Sequence, residues 1–136
     1  MEPSVATRNT LLALLCLACL FGCTTNGSNY KAVSLPSGKQ IKVTAVQRMY
    51  FSKGAPALVL KYQTDLNIND KAALQSEAGE IWPMFKKDVE HENLSSALII
   101  ANAVPQGTLI KTVHSYNFVY EKTADGTWRC LNDTAN

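Results

Sequence analysis

Few residues of this chain have the chemistry of a catalytic or metal site. The 136 residues include two histidines, His91 and His114, and four cysteines. A protein metal site needs His, Cys or carboxylate ligands at short spacing, and the two histidines are far apart in the sequence. The residues therefore indicate no metal site and no cofactor.

A nucleophilic site would need a nucleophile, a base and a group that orients the base. The chain has no Gly-x-Ser-x-Gly motif, which leaves Cys130 and His114 on two strands that the Asp125-Gly126 turn would pair. Cys130, His114 and an acidic side chain could come together across these strands, so a small hydrolase is one hypothesis. A pair of carboxylates for glycoside hydrolysis would have to come from the predicted helix, where most of the acids are expected on the solvent face: Glu77, Glu80, Asp88, Glu90 and Glu92. The favoured prediction is a protein that is not an enzyme and has no catalytic residue.

Three of the four cysteines, Cys16, Cys19 and Cys23, lie in or just after an apolar run. Residues 11–21 read LLALLCLACLF, which is shorter than the roughly 20 apolar residues that span a bilayer. This length is typical of the hydrophobic region of a secretory signal peptide.

The residues at the end of the run, Leu20-Phe21-Gly22-Cys23, resemble the lipobox of bacterial lipoproteins. Leu20 and Gly22 fit the pattern, whereas Phe21 stands where a small residue is usual. The resemblance implies that Cys23 is lipidated and anchors the protein in a membrane, since two or more acyl chains hold a protein stably. Thr24 after the cysteine, in place of Asp, implies the outer membrane facing the periplasm in a Gram-negative cell. The alternatives are an ordinary cleaved signal peptide and an uncleaved short anchor.

This interpretation divides the chain into four parts. Residues 1–22 are the signal peptide, 23–29 a lipidated polar tether, 30–131 a single domain and 132–136 a frayed tail. The composition is that of a globular protein, with 46% hydrophobic and 18% charged residues. Once Cys23 is acylated, Cys130 is the only thiol of the mature chain, so no intramolecular disulfide is expected.

Hydrophobic periodicity predicts the elements of the domain. A helix is expected at about 70–92, and strands at 30–35, 40–51, 57–64, 96–104, 109–121 and 127–131. Residues 96–104 are apolar on both faces, which is typical of a buried central strand. The predicted fold class is α+β: a mostly antiparallel sheet of five to six strands with one long, kinked helix packed on one face, in the order β-β-β-α-β-β-β.

The predicted helix has one apolar face, formed by residues at spacings of three and four. These residues are Leu74, Ala78, Ile81, Phe85 and Val89. Pro83 lies inside the helix and cannot bond to the carbonyl of Gly79, so a kink or break is expected between them. The kink either curves the helix over a twisted sheet or opens a cleft lined by Trp82 and Met84.

Charge is distributed unevenly along the chain. Residues 31–63 hold six cations and no acid, whereas residues 65–93 hold seven acids and three cations. The basic strands and the acidic helix either attract each other across the fold, or one of them faces anionic lipid headgroups or a protein partner. The formal net charge of +2 is too small to support nucleic-acid binding.

A lipid-anchored domain of this kind is predicted to bind another protein of the cell envelope or a secreted protein, because tethering concentrates it beside its partners. Toxin immunity and an accessory role in a secretion or envelope complex are examples. The possible interface residues are Arg48, Tyr50, Phe51, Trp82 and Met84. An alternative is a periplasmic small-ligand binder with a pocket near Trp82, Phe85 and Tyr116.

Cys23→Ser is expected to move the protein from the membrane fraction to the soluble fraction, because the variant has no thiol to acylate at that position. Immunoblotting of fractionated cells measures the change. Cys19→Ser is the matched control and is expected to leave the protein on the membrane, because Cys19 lies inside the apolar run. If the Cys23→Ser protein stays on the membrane, the lipobox interpretation is wrong or the apolar run remains as an anchor.

Overall fold

The computed structural model describes residues 31–134, which form six strands, one long helix and a final short turn of helix. The strands are β1 (Lys31–Ser34), β2 (Gln40–Met49), β3 (Ala57–Thr64), β4 (Ser96–Ala103), β5 (Ser115–Lys122) and β6 (Trp128–Cys130). The helix, α1, is Lys71–His91, and a short 3-10 helix follows β6 at Leu131–Thr134. In this part of the chain no helix has the length and apolarity needed to cross a membrane. The expected signal peptide, Cys23 and the tether lie outside the described residues.

The six strands form one sheet whose spatial order is the order of the sequence, β1 to β6. Neighbouring strands pair antiparallel except β3 and β4, which are parallel. Parallel neighbours need a long crossover connection, and α1 supplies it by crossing one face of the sheet. The predicted α+β fold, with a mostly antiparallel sheet and one helix packed on one face, is therefore confirmed.

The hydrophobic core lies between α1 and the face of the sheet that α1 covers. All five apolar helix residues predicted from their spacing are buried. Their partners on the sheet are Leu58, Leu60, Tyr62, Ala97, Ile99, Ala101, Phe118 and Tyr120. Side chains alternate along a strand, so the residues between these partners point to the other side of the sheet.

Local hydrogen bonds fix both ends of α1. At the N-terminus the Asp70 side chain accepts a hydrogen bond from the backbone N–H of Ala73 at 3.1 Å, as an N-cap does. At the C-terminus Asn93 takes a left-handed φ of 54°, and the N–H of Leu94 bonds to the carbonyl of Val89 at 3.1 Å. This is the Schellman arrangement, and it ends the helix close to the predicted boundary at residue 92.

Proline does not interrupt the helix. α1 runs as one element from Lys71 to His91 with Pro83 inside it. Pro83 and Gly79 are both exposed, so the carbonyl that loses its helical partner lies where water can reach it. The disturbance expected between these two residues therefore does not divide the helix.

Residues 104–114 differ most from the sequence prediction, which extends a strand back to 109. β5 begins at Ser115, and 104–114 form a hairpin closed by a bridge between Gln106 and Thr112. Pro105 cannot donate to a strand ladder, and Gly107 adopts a φ of 112°, which L side chains rarely reach. Leu109, Ile110 and Val113, which the prediction places in a strand, therefore lie in this hairpin.

The domain extends beyond residue 131, where the sequence predicts a frayed tail. The side-chain oxygen of Asn132 accepts a hydrogen bond from the N–H of Val119 at 2.9 Å, and its Nδ2 donates to the carbonyl of Asn117 at 2.8 Å. These two bonds attach the 3-10 helix to β5 after the short β6 ends. The prediction that the chain frays from residue 132 is therefore wrong for Asn132.

Candidate functional site

Cations of the first strands pair with acids of the helical segment. Arg48 donates to the Glu92 carboxylate at 2.5 Å, and Tyr50 and Glu92 together raise the pKa of its guanidinium. Lys39 forms an ion pair with Glu77. The basic strands and the acidic helix therefore attract each other across the fold, and Arg48 lies against the end of α1.

Trp82 is the centre of an aromatic cluster on one flank of α1. Its ring stacks on Tyr120 with 3.9 Å between centroids, and it meets Trp128 at 5.1 Å and Phe85 at 6.4 Å, both edge-on. The indole N–H of Trp128 donates to the Glu90 carboxylate at 3.1 Å, which closes the outer side of the cluster. Trp82 is thus half-buried among rings, and it does not form a cleft with Met84.

A small-ligand pocket is expected near Trp82, Phe85 and Tyr116, and all three side chains pack against other rings. Phe85 is buried, and Tyr116 packs on Phe118 with 5.0 Å between ring centroids. Side chains therefore fill the space between helix and sheet at this place. The pockets described below are lined by other residues.

The five predicted interface residues do not form one surface. Met84 is 38% exposed on α1, and Trp82 lies in the aromatic cluster. Tyr50 is 74% exposed in the β2–β3 loop, beside Arg48. Phe51 is 46% exposed and lines a groove on the side of the sheet opposite α1. Phe51 and the two helix residues thus lie on opposite sides of the sheet.

The pairing of Cys130 with His114, which a hydrolase would need, is wrong. Cys130 lies opposite Tyr120 in the β5–β6 register, and His114 comes six residues before Tyr120 in the sequence. At about 3.3 Å per residue along a strand, the two side chains are roughly 20 Å apart. Hydrogen-bond contact between them is excluded in this fold.

His114 instead lines a pocket of about 430 Å³ between the 104–114 hairpin and the linker that follows β3. Thr64 and Asp65 line the same pocket, and the Thr64 hydroxyl accepts a hydrogen bond from the N–H of Leu66 at 3.1 Å. Among residues 31–134 no three His, Cys, Asp or Glu side chains are grouped so that they could hold a metal ion. The pocket therefore has one histidine and one carboxylate, without a third such ligand.

Glu77 is a buried acid that the helix pattern places, wrongly, on the solvent face. Its ion pair with Lys39 satisfies Oε2. Its Oε1 and the Tyr62 hydroxyl are both buried without a well-formed hydrogen bond to the described residues. Burial, and then the charge of Glu77, raise the pKa of Tyr62 far above its ordinary value of 10.0. Since both side chains are closed to solvent, this polar group belongs to the core.

The side of the sheet opposite α1, here called the helix-free face, has an apolar centre. Strand pairing places on it Ala57, Val59, Lys61, Gln63, Leu98, Ile100, Asn102, Asn117, Val119 and Glu121. Val59 at its centre is fully buried, and Leu98, Ile100 and Val119 are half-buried. A solvated sheet face normally alternates to polar residues, so the centre of this face is unusually apolar.

Two connections border the helix-free face and make it a shallow trough. At one end the β2–β3 loop places Phe51 beside Leu98 and Val119, around a groove of about 630 Å³. At the other end the 104–114 hairpin borders a pocket of about 470 Å³ that contains Lys61 and Ile100. Of the predicted interface residues, Phe51 is therefore the one that belongs to this trough.

The sequence contains one signal for the helix-free face. Residues 96–104 are apolar on both sides, while residues 31–134 contain a single long helix, which can cover only one side of a sheet. Comparison with known proteins adds no further signal: no family model matches the chain, and neither a curated protein nor a solved structure matches it. The candidate functional site therefore rests on the geometry of the trough.

Tyr62→Phe is expected to reduce the loss of stability at alkaline pH. Because the pKa of Tyr62 is raised in the folded state, its contribution is complete below pH 10 and is lost as the pH rises above that value. The loss is at most about 1.4 kcal/mol per pH unit. Urea unfolding between neutral pH and about pH 11 measures the difference between variant and wild type.

Tyr50→Phe is the matched control for this measurement, because it removes the same hydroxyl group from a tyrosine that is exposed and lies outside the core. It is expected to follow the wild-type profile. If the free energy of unfolding falls with pH equally in wild type and Tyr62→Phe, ionisation of the Tyr62 hydroxyl does not destabilise the fold, and the prediction is contradicted.

Proposed function

We propose that this protein is a lipid-anchored component of the bacterial cell envelope that binds another protein through the helix-free face. The observation that carries the proposal is a sheet with apolar residues on both sides and a helix on only one of them. Sheets that are apolar on both faces are normally covered on both. Residues 31–134 supply no second covering layer, and a partner protein would supply it.

The apolar part of the trough is continuous across neighbouring strands. Leu98 of β4 lies directly opposite Val119 of β5, and Phe51 lines the same groove as both. Full burial of an exposed apolar side chain of this size contributes about 1.5–3 kcal/mol, and covering one that is already half-buried contributes a fraction of that value. A few such anchors in a desolvated centre carry most of the affinity of a protein interface.

The charges around the trough indicate the chemistry of the partner. Lys42 points to the helix-free face because it pairs in register with Gln63. Lys61 points there because it alternates along β3 with the core residues Leu60 and Tyr62. Lys53 lies in the loop that borders this face. At the other edge of the same face, Glu121 and Arg129 lie opposite each other in the β5–β6 register. Asp65 lies beside Lys42, so the face and its border hold four cations and two acids. This excess of positive charge favours a partner with an acidic rim around an apolar patch.

This function is non-enzymatic and agrees with the placement of the reactive side chains. Cys130 and His114 lie at opposite ends of β5, and the buried acid Glu77 is closed to solvent. Neutralising a toxin and stabilising an envelope complex are two forms of the proposed function. In each, the lipidated Cys23 would keep the trough near the membrane where the partner acts.

Ile100→Lys is expected to lower the recovery of the partner, because Ile100 is half-buried on the helix-free face and a lysine there cannot be desolvated without cost. The measurement is affinity purification of the lipidated protein from detergent-solubilised envelopes, with quantitative mass spectrometry. A central interface position predicts a loss of at least about tenfold.

Met84→Lys is the matched control, since Met84 is partly exposed on α1 and the change in side chain is similar. It is expected to leave recovery at the wild-type level. Equal loss in both variants, or undiminished recovery with Ile100→Lys, would contradict binding through the helix-free face. The melting temperature of each variant separates lost binding from lost folding.

A further inference from the structure

The hairpin of residues 104–114 is an ordered structure. Gln106 and Thr112 exchange backbone hydrogen bonds of 3.0 and 3.3 Å. At its tip Gly107 has a φ of 112°, and a Cβ there would lie 2.1 Å from the carbonyl oxygen of Ile110. Because only glycine permits this turn, the hairpin presents residues 108–111 in a defined position.

The tip of the hairpin exposes two aliphatic side chains almost completely. Leu109 is 97% exposed and Ile110 is 82% exposed, and Val104 and Val113 on the two arms are about half exposed. Half of the large hydrophobic residues that are exposed within residues 31–134 therefore lie in this one hairpin. A concentration of this kind indicates a contact surface.

We propose that Leu109 and Ile110 insert into the lipid bilayer that holds the anchor at Cys23. The inference rests on the lipid anchor of the proposed function and adds a second contact with the same membrane. Because both side chains are almost fully exposed, they project from the hairpin and are free to enter a bilayer. Aliphatic side chains of interfacial segments lie about 5–10 Å into the boundary between headgroups and acyl chains.

The charges of the hairpin suit a lipid surface. Lys111 follows the two aliphatic residues, and its ammonium group can meet lipid phosphates while its apolar stem lies beside them. No acid occurs between Ala103 and His114. Asp65 is the acid that faces the hairpin, and it lies in the pocket at the base, away from the tip.

The chain between Cys23 and the domain is long enough for both contacts. Eight residue steps lead from Cys23 to Lys31, at the start of β1, and they span at most about 29 Å. In the strand register Lys31, where the tether joins the domain, is level with Ala101 of β4. The hairpin begins three residues further along β4, a distance of about 10 Å. The lateral distance from β1 to β4 is three strand spacings, about 15 Å. The acyl chains and the hairpin tip can therefore enter one bilayer together.

Two membrane contacts would orient the domain. The strands would stand with the hairpin toward the bilayer, and the 50–56 loop and the 123–127 turn would point away from it. The helix-free face would then run along the membrane normal and stay open to a partner in the periplasm. With the lipid tether as its only contact, the domain could rotate relative to the membrane.

The test uses the lipidated full-length protein in vesicles of phosphatidylethanolamine with a minority of phosphatidylglycerol. Ile110→Trp places a fluorophore at the tip, and lipids brominated near the top of the acyl chains quench a tryptophan that enters the bilayer. Ala124→Trp is the matched control, because Ala124 is exposed in the turn at the opposite end of the sheet. Wild-type protein gives the background of Trp82 and Trp128.

The proposal predicts that the added emission of Ile110→Trp shifts to shorter wavelength and is mostly lost with brominated lipid, while that of Ala124→Trp is unchanged. Both substitutions lie at exposed positions, so folding is checked simply by circular dichroism. Protein that floats with the vesicles but keeps the Ile110→Trp emission unquenched overturns the hairpin contact alone. Protein that fails to float overturns the lipid anchor, and the hairpin contact with it.

Discussion

The parallel pairing of β3 with β4, in a sheet that is otherwise antiparallel, requires a crossover, and α1 is the connection that makes it. A single helix covers only one face of a sheet, and the apolar stripe from Leu74 to Val89 determines which face that is. The residues that alternate with the core along β3, β4 and β5 are left on the other face. The hydrophobic core and the proposed binding face are therefore two consequences of one connection.

The charged side chains also differ between the two sides of the sheet. On the helix side, Lys39 and Arg48 pair with acids of the helical segment. On the other side, Lys42 and Lys61 point outward from β2 and β3, where no helix lies against them. The uneven charge of the sequence thus separates into a half that the helix neutralises and a half that faces outward. The apolar centre of the trough and its basic border therefore occur on the same side of the molecule.

Features that depend on local spacing can be predicted from this sequence, and features that depend on register or tertiary packing cannot. The helix stripe, the order of elements and the approximate end of the helix are local. The distance between Cys130 and His114 depends on strand register, and the packing of Trp82 depends on rings from two other strands. The strand predicted from residue 109 begins only at Ser115, because a bridge between Gln106 and Thr112 closes the preceding residues into a hairpin, and such a pairing leaves no trace in hydrophobicity.

Site-specific photo-crosslinking in living cells tests the central claim most directly. A photoreactive amino acid is placed at Ile100 on the helix-free face and, for comparison, at Lys87 on the exposed side of α1. The account predicts a discrete adduct with one envelope or secreted protein from the Ile100 position and none from Lys87. Adducts from Lys87 alone, or from neither position, would contradict binding through the helix-free face.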